Sequence, residues 1–341
     1  MSYVIECNNL SRVYESYRKE EGLINSLRGF WKRNYVSKTA LAPTDLKIAG
    51  GQIIGLVGAN GGGKTTLLKL LSGLIYPSSG EAKILGFNPW DRKPEFLRRI
   101  SILLGQKNQL WWDIPAADSY NLLMRIYDLD LAQARKRVKD LSEILQCQDQ
   151  LHVQLRRLSL GERMKMEIIG ALLHKPDVLF LDEPTIGLDI VAQTSIREFL
   201  IEYVSDHDPT VILTSHYMDD ISQLADRLLL ISQGSIVYDG SVPGFLNRAE
   251  NKQKLSVELK RPPTTDMSLT ETLTLKANEK IFTAEVAADE MGLVLEKILS
   301  VSSVHDLKIE EVDFEEVIRD FLQKGLRNGA NVDRLPTRVS I

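Results

Sequence analysis

The sequence predicts an α/β fold on a largely parallel sheet, followed by a smaller α+β unit, and three observations carry that expectation. Ile53-Ile54-Gly55-Leu56-Val57 reads as a strand buried on both faces; a glycine-rich loop and an apolar-periodic helix over 65–71, stopped by Gly73, follow it. Asp177-Val178-Leu179-Phe180-Leu181 reads as a second buried strand and ends on two adjacent carboxylates, Asp182 and Glu183. After Tyr238-Asp239-Gly240 the composition changes and regular structure is broken at Arg261-Pro262-Pro263.

Length supports two domains, since 341 residues exceed one ordinary core. Hydrophobic content of 43% with 26% charged residues is that of a globular protein, and a net charge of -4 gives no global nucleic-acid footprint. Cys7 and Cys147 stand far apart without a C-x-x-C pair, so reduced thiols are expected rather than a disulfide framework or a zinc site. The N-terminus lacks the basic and apolar regions of a signal peptide, and no apolar run approaches bilayer length. Any membrane work is expected of a separate chain.

The loop between the first strand and its helix is Gly58-Ala59-Asn60-Gly61-Gly62-Gly63-Lys64-Thr65-Thr66, which fits G-x-x-x-x-G-K-[ST] in the strand-loop-helix context that the motif requires. Glycines let successive N–H groups converge on phosphates, and the helix N-terminus adds a favourable dipole. Lys64 is suited to the β- and γ-phosphates and the Thr65 hydroxyl to Mg²⁺. A glycine-rich turn carrying Lys-Thr by chance would lack that context. The paired carboxylates fall where ligands bind in open α/β sheets, at the C-terminal end of a strand. Asp182 is placed for the Mg²⁺ shell and Glu183 for orienting or deprotonating a water.

Further motifs follow in order: Gln106 in Leu104-Gly105-Gln106-Lys107, then Leu158-Ser159-Leu160-Gly161-Glu162-Arg163, Gly187-Leu188-Asp189 and Thr214-Ser215-His216. With these, residues 1–244 resemble the nucleotide-binding ATPase subunit of ABC transporters. The resemblance implies a P-loop NTPase cassette with a RecA-like core, an antiparallel β-subdomain and a helical subdomain at about 107–165, working with ATP and Mg²⁺. It makes Glu183 the catalytic base and His216 the switch histidine. Gln106 would report metal and water occupancy beside Thr65 and Asp182. Ser159, Leu160, Gly161 and Glu162 become the signature and Asp189 the D-loop. The family signature is usually Leu-Ser-Gly-Gly-Gln, so Leu160 and Glu162 depart from it, while Ser159 and Gly161 keep the hydroxyl and the helix N-terminus. Two subunits, identical or closely related, pair head to tail in the family, each signature facing the other's loop. Permease subunits encoded separately are the implied membrane partners, which puts this chain at the cytoplasmic face with no nucleic acid expected. Tyr14 is the candidate adenine platform, with Tyr17 as its rival.

The segment 16–38 reads as an insertion with six basic residues (Arg18, Lys19, Arg28, Lys32, Arg33, Lys38) against two acidic ones (Glu20, Glu21). Over 22–34 within it, Leu23, Ile24, Leu27, Phe30 and Trp31 recur at helical spacing. Such a helix lies on a membrane surface, docks on a partner or packs on its own subdomain. Trp111-Trp112 either anchors a permease helix or belongs to the subdomain core. Helices are expected over 118–129 and 132–145. Residues 245–341 should hold a strand over 255–259, a hairpin over 272–287, a helix over 291–299, a strand over 307–312 and a helix over 314–322. Asp313-Phe314-Glu315-Glu316-Val317 resembles the C-terminal element of daunorubicin-resistance exporter ATPases. The leading expectation is therefore an exporter ATPase; the alternatives are a soluble ABC ATPase acting on ribosomes or DNA, and a regulatory module that holds ATP without turnover.

Overall fold

A computed structural model describes residues 3–17, 35–105, 107–215, 217–248, 252–270, 273–287, 290–301, 303–311 and 318. The helix expected over 22–34, nearly all of that expected over 314–322, Gln106 and His216 lie outside the described residues. The chain divides by its internal contacts into Met1–Gly240 and Ser241–Ile341.

The first unit opens with two long antiparallel strands, β1 (Tyr3–Tyr17) and β2 (Tyr35–Ala49). The strand β3 (Ile53–Val57), buried at every position, runs into the loop and α1 (Lys64–Leu71), after which β4 (Ser79–Ile84) pairs with the other edge of β1. A short α2 (Pro94–Leu97) leads to β5 (Ile100–Leu104). Next come three helices: α3 (Ala116–Ile126), α4 (Leu131–Ile144) and α5 (Leu160–Leu172). The unit is completed by β6 (Val178–Asp182), α6 (Ile190–His207), β7 (Thr210–Thr214), α7 (Met218–Leu224), β8 (Arg227–Ser232) and β9 (Ser235–Ser241).

The central sheet has the order β5-β6-β7-β3-β8-β9, with parallel pairing from β5 through β8. Its inner strands are apolar on both faces because helices cover both, as α7 covers β3 at Gly55. A Cβ there would meet Ile221 Cγ2 at 2.9 Å. Ile54, Leu56, Phe180 and Ile212 join Ile5, Leu10 and Leu46 of the β1–β2 sheet in one core, which seats that sheet against α1.

Helix starts follow capping chemistry. Asp130 caps α4 by accepting from Gln133 N at 2.8 Å, and Asp189 caps α6 by accepting from Ala192 N at 2.9 Å. The helix expected over 118–129 starts earlier, after Pro115, and ends at Ile126, where Asp128 adopts φ 55° and turns the chain.

The second unit contains α8 (Val242–Arg248), β10 (Lys252–Leu259), β11 (Met267–Ser268), β12 (Thr274–Leu275), β13 (Ile281–Ala287), α9 (Met291–Val301) and β14 (Val304–Glu311). Among the described residues, the hairpin expected over 272–287 is not formed. Instead β12 pairs with β11, while β13 and β14 flank β10 in an antiparallel sheet. Phe282 and Val286 find their apolar partners in Leu255, Val257 and Val294, and that burial outweighs local strand pairing.

Candidate functional site

At the C-terminal end of β6, Asp182 collects two hydroxyls. Its Oδ2 accepts from Thr65 Oγ1 at 2.8 Å and its Oδ1 from Thr214 Oγ1 at 2.8 Å. The three residues arrive from the first turn of α1 and from the ends of two neighbouring parallel strands, so the sheet order itself brings them together. Lys64 is buried, its Nζ donating to Gly58 O at 2.7 Å and Ala59 O at 3.4 Å inside the loop. Burial lowers the Lys64 ammonium from its ordinary value, against the pull of Glu183 and Asp182 in the opposite direction.

The glycines of the loop answer to close approach. A Cβ on Gly58 would stand 2.1 Å from Ile231 O, and one on Gly63, at φ 114°, 2.5 Å from Ala40 O. Lys64, Thr65 and Glu183 share with Asn60 and Tyr14 a cleft of about 490 Å³. A cavity of about 170 Å³ beside Thr65, Asp182 and Glu183 reaches Gly105 and Lys107. An oxygen donor set of a hydroxyl and a carboxylate fits a hard divalent cation, and the glycine-lined, lysine-bearing loop fits a polyphosphate.

Glu183 sits at φ 58°, in the left-handed region that a residue with a side chain rarely adopts. Its N–H is shared between the hydroxyl of Thr214 at 2.9 Å and the carbonyl of Thr214 at 3.1 Å. A Cβ on Gly105 would lie 2.3 Å from Glu183 O, so the end of β5 is shaped to admit this turn. Backbone strain held in place by neighbours is a recurring property of sites that do chemistry.

Around the position of His216 the chain is pinned from both sides. Ser215 Oγ donates to Asp220 Oδ2 at 2.6 Å and accepts from Tyr217 N at 3.0 Å. Thr185 Oγ1 donates to the same Oδ2 at 2.5 Å, and Arg197 pairs with Oδ1 at 3.1 Å. The turn after Glu183 and the residues flanking 216 thus share one buried carboxylate. Sequence reasoning named Thr214 only within Thr214-Ser215-His216 and passed over Asp220 and Arg197; a hydroxyl closing the apolar run Val211-Ile212-Leu213 was the available signal for Thr214.

Tyr14 lines the same cleft as Asn60, with the Arg12 guanidinium 4.5 Å from its ring centroid. Ser159 is elsewhere: it caps α5, accepting from Glu162 N at 3.3 Å while Glu162 Oε2 takes both the Ser159 N–H and hydroxyl at 2.9 Å. Those bonds lower the Glu162 carboxyl below its ordinary value. Leu160 is 37% exposed and approaches Gly187. Among the described residues, neither of these two cavities is lined by any of residues 159–162 or by Asp189.

A P-loop nucleotide-binding cassette is the class that this sheet order and this cluster define. Comparison with known proteins narrows the class. The ABC transporter family profile matches residues 41–186. The ABC transporter ATP-binding protein NatA of Bacillus subtilis is 32% identical over 234 residues, 69% of this chain and 94% of that protein. The daunorubicin resistance ATP-binding protein DrrA3 of Streptomyces coeruleorubidus is 33% identical over 62% of this chain and 66% of its own length. Among solved structures, the dimeric post-hydrolysis cassette MJ0796 bound to ADP and phosphate shares the fold at TM-score 0.59 and 20% identity, over 70% of this chain and 98% of that one. The chain belongs to the ABC transporter family as an ATP-binding subunit and is an ATPase.

Proposed function

We propose that this chain powers an exporter by closing on ATP as one half of a pair of such subunits, docked on separate permease subunits at the cytoplasmic face of a membrane. Residues 1–244 form the cassette and 245–341 an accessory unit. The observation that carries the reading is the division of the chemistry within one chain. Thr65 and Glu183 line both cavities, Lys64 the larger and Asp182 the smaller, while Ser159 and Gly161 open a helix that lines neither. A second copy, or a closely related ATPase, supplies the missing helix N-terminus. The names of the related proteins, which include a Nod factor export ATP-binding protein of Cupriavidus metallidurans, support the export direction. No described helix is long and apolar enough to cross a membrane, which supports reliance on separate permeases.

Thr65 and Asp182 hold Mg²⁺, and Lys64 and the loop N–H groups hold the phosphates. Mg²⁺ when bound offsets the charge of the phosphates. Glu183 orients the attacking water and takes its proton, Gln106 senses the metal and that water, and His216 holds the γ-phosphate and the water. Tyr14 offers a ring face to the base, and Asp189 couples the two sites.

Paired subunits test this directly. Ser159→Arg places a long cation where the partner's nucleotide would sit, so the variant binds ATP at one subunit and does not turn it over. A mixed pair carrying Ser159→Arg on one chain and Lys64→Ala on the other keeps one intact composite site. Single-turnover counting should find one ATP hydrolysed per pair; two would refute the shared site.

A further inference from the structure

Glu167 lies on α5, two turns beyond Ser159, and is only 4% exposed. It pairs with no described basic side chain. Its two carboxylate oxygens accept the backbone N–H of Gln109 at 3.1 Å and of Leu110 at 3.3 Å, in the segment that leaves β5. Burial raises the carboxyl above its ordinary value, opposed by those two N–H bonds and by Arg163. A buried carboxylate is a costly way to fill core space, where an apolar side chain of similar volume serves stability as well or better.

The same helix grips the segment at two more points. Leu110 packs so closely on Gly170 that a Cβ there would meet Leu110 Cδ2 at 3.0 Å. The guanidinium of Arg163 lies 5.1 Å from the ring centroid of Trp112. At the other end of the stretch, Gly105 N donates to Asp182 O at 2.8 Å, fastening it to the strand that carries the catalytic carboxylates. Gln109 Nε2 donates to Ile102 O as well. Only four peptide steps separate Gly105 from Gln109, a reach of at most about 14 Å, so the two anchors bracket one short stretch.

We infer that Glu167 is a positioning residue that locks residues 109–112 to the signature helix, so that α5 and the segment leading from Asp182 to the exposed Trp111 and Trp112 move as one body. A displacement of Ser159 on meeting nucleotide is then felt at Asp182 on one side and at the tryptophan pair on the other. This rests on the two-copy site proposed above for what moves α5, but the tie itself is a property of one chain.

The test uses the full-length chain with Glu167→Gln, which replaces one acceptor by a donor facing the two N–H groups, and Gly170→Ala, which pushes Leu110 off the same helix without touching the carboxylate. Three quantities are read: ATP affinity, kcat, and amide exchange over 107–112 with and without ATP and Mg²⁺. Both variants should bind ATP within about twofold of wild type and lose about tenfold in kcat, the equivalent of one unsatisfied buried group. ATP-dependent protection of 107–112 should disappear while that of α1 remains, a split that simple loosening of the core would not produce. The inference is overturned if both variants keep wild-type kcat and ATP-dependent protection, or if ATP affinity falls in step with kcat. If Glu167→Gln does not fold, Gly170→Ala decides alone. A fully active Ser159→Arg beside an impaired Glu167→Gln would remove the two-copy reading and leave the tie to Asp182 standing.

Discussion

Glu162 shows how one side chain can serve a helix and a site together. Its carboxylate takes the hydroxyl and N–H of Ser159, and a third bond comes from Gln150 Nε2 at 3.2 Å, so the hydroxyl proposed to face a partner's nucleotide is oriented by one of the two residues that depart from the family pattern. The folded carboxyl is held below its ordinary value near 4.5, chiefly by the Ser159 backbone and hydroxyl. A carboxyl depressed on folding contributes stability above its unfolded pKa and loses that contribution as pH falls through the folded one. Wild type should therefore melt above Glu162→Gln at neutral pH, by the equivalent of about 0.5 kcal/mol for a largely solvent-exposed cap. The gap should close as pH drops below 4.5. Melting curves from pH 7 to pH 3.5 check this; a gap that widens with acid would contradict the assignment.

At the scale of elements, the contact between the ends of β5 and β6 leaves no room for a side chain. Gly105 N–H bonds to Asp182 O, and a Cβ on Gly105 would also lie 2.8 Å from that carbonyl. Gly105→Ala should push the end of β6 aside, costing about 1–3 kcal/mol in overpacking and lowering turnover more than ATP binding; thermal melts with steady-state kinetics would show it, and an unchanged kcat would mean that the strand end yields freely. Much of this region was legible in the sequence, because β3 and β6 are unbroken apolar runs and the loop motif is local. Asp220, Thr214 and Glu167 were not. Their roles arise when strands and helices far apart in sequence become neighbours: Asp220 meets Thr185 across 35 positions and Glu167 meets Gln109 across 58. The hairpin expected over 272–287 failed for the same reason, since β13 takes its partner from β10, across residues with no local pattern to announce it.

At the scale of the molecule, the described residues include one core built on Ile54, Phe180 and Ile5 in the first unit and another on Val257, Phe282 and Val294 in the second. Two cores in one chain favour two unfolding steps. Both cysteines are buried in the first unit, where burial pushes the Cys7 thiol up to about 12 and that of Cys147 to about 11. Calorimetry should resolve two transitions, and thiol labelling in rising denaturant should accompany only the one that opens residues 1–240. Labelling of both cysteines during the other step would join the units into one cooperative block. The left-handed turn at Glu183 bears on heredity as well as chemistry. Glycine would sit there without strain and would remove a carboxylate from beside Asp182, so, with Glu183 as the base proposed above, the change most comfortable for the backbone is one that silences the enzyme. Selection at that codon must oppose the fold's own preference, and a silent descendant of this chain would have nothing to hold the glutamate in place.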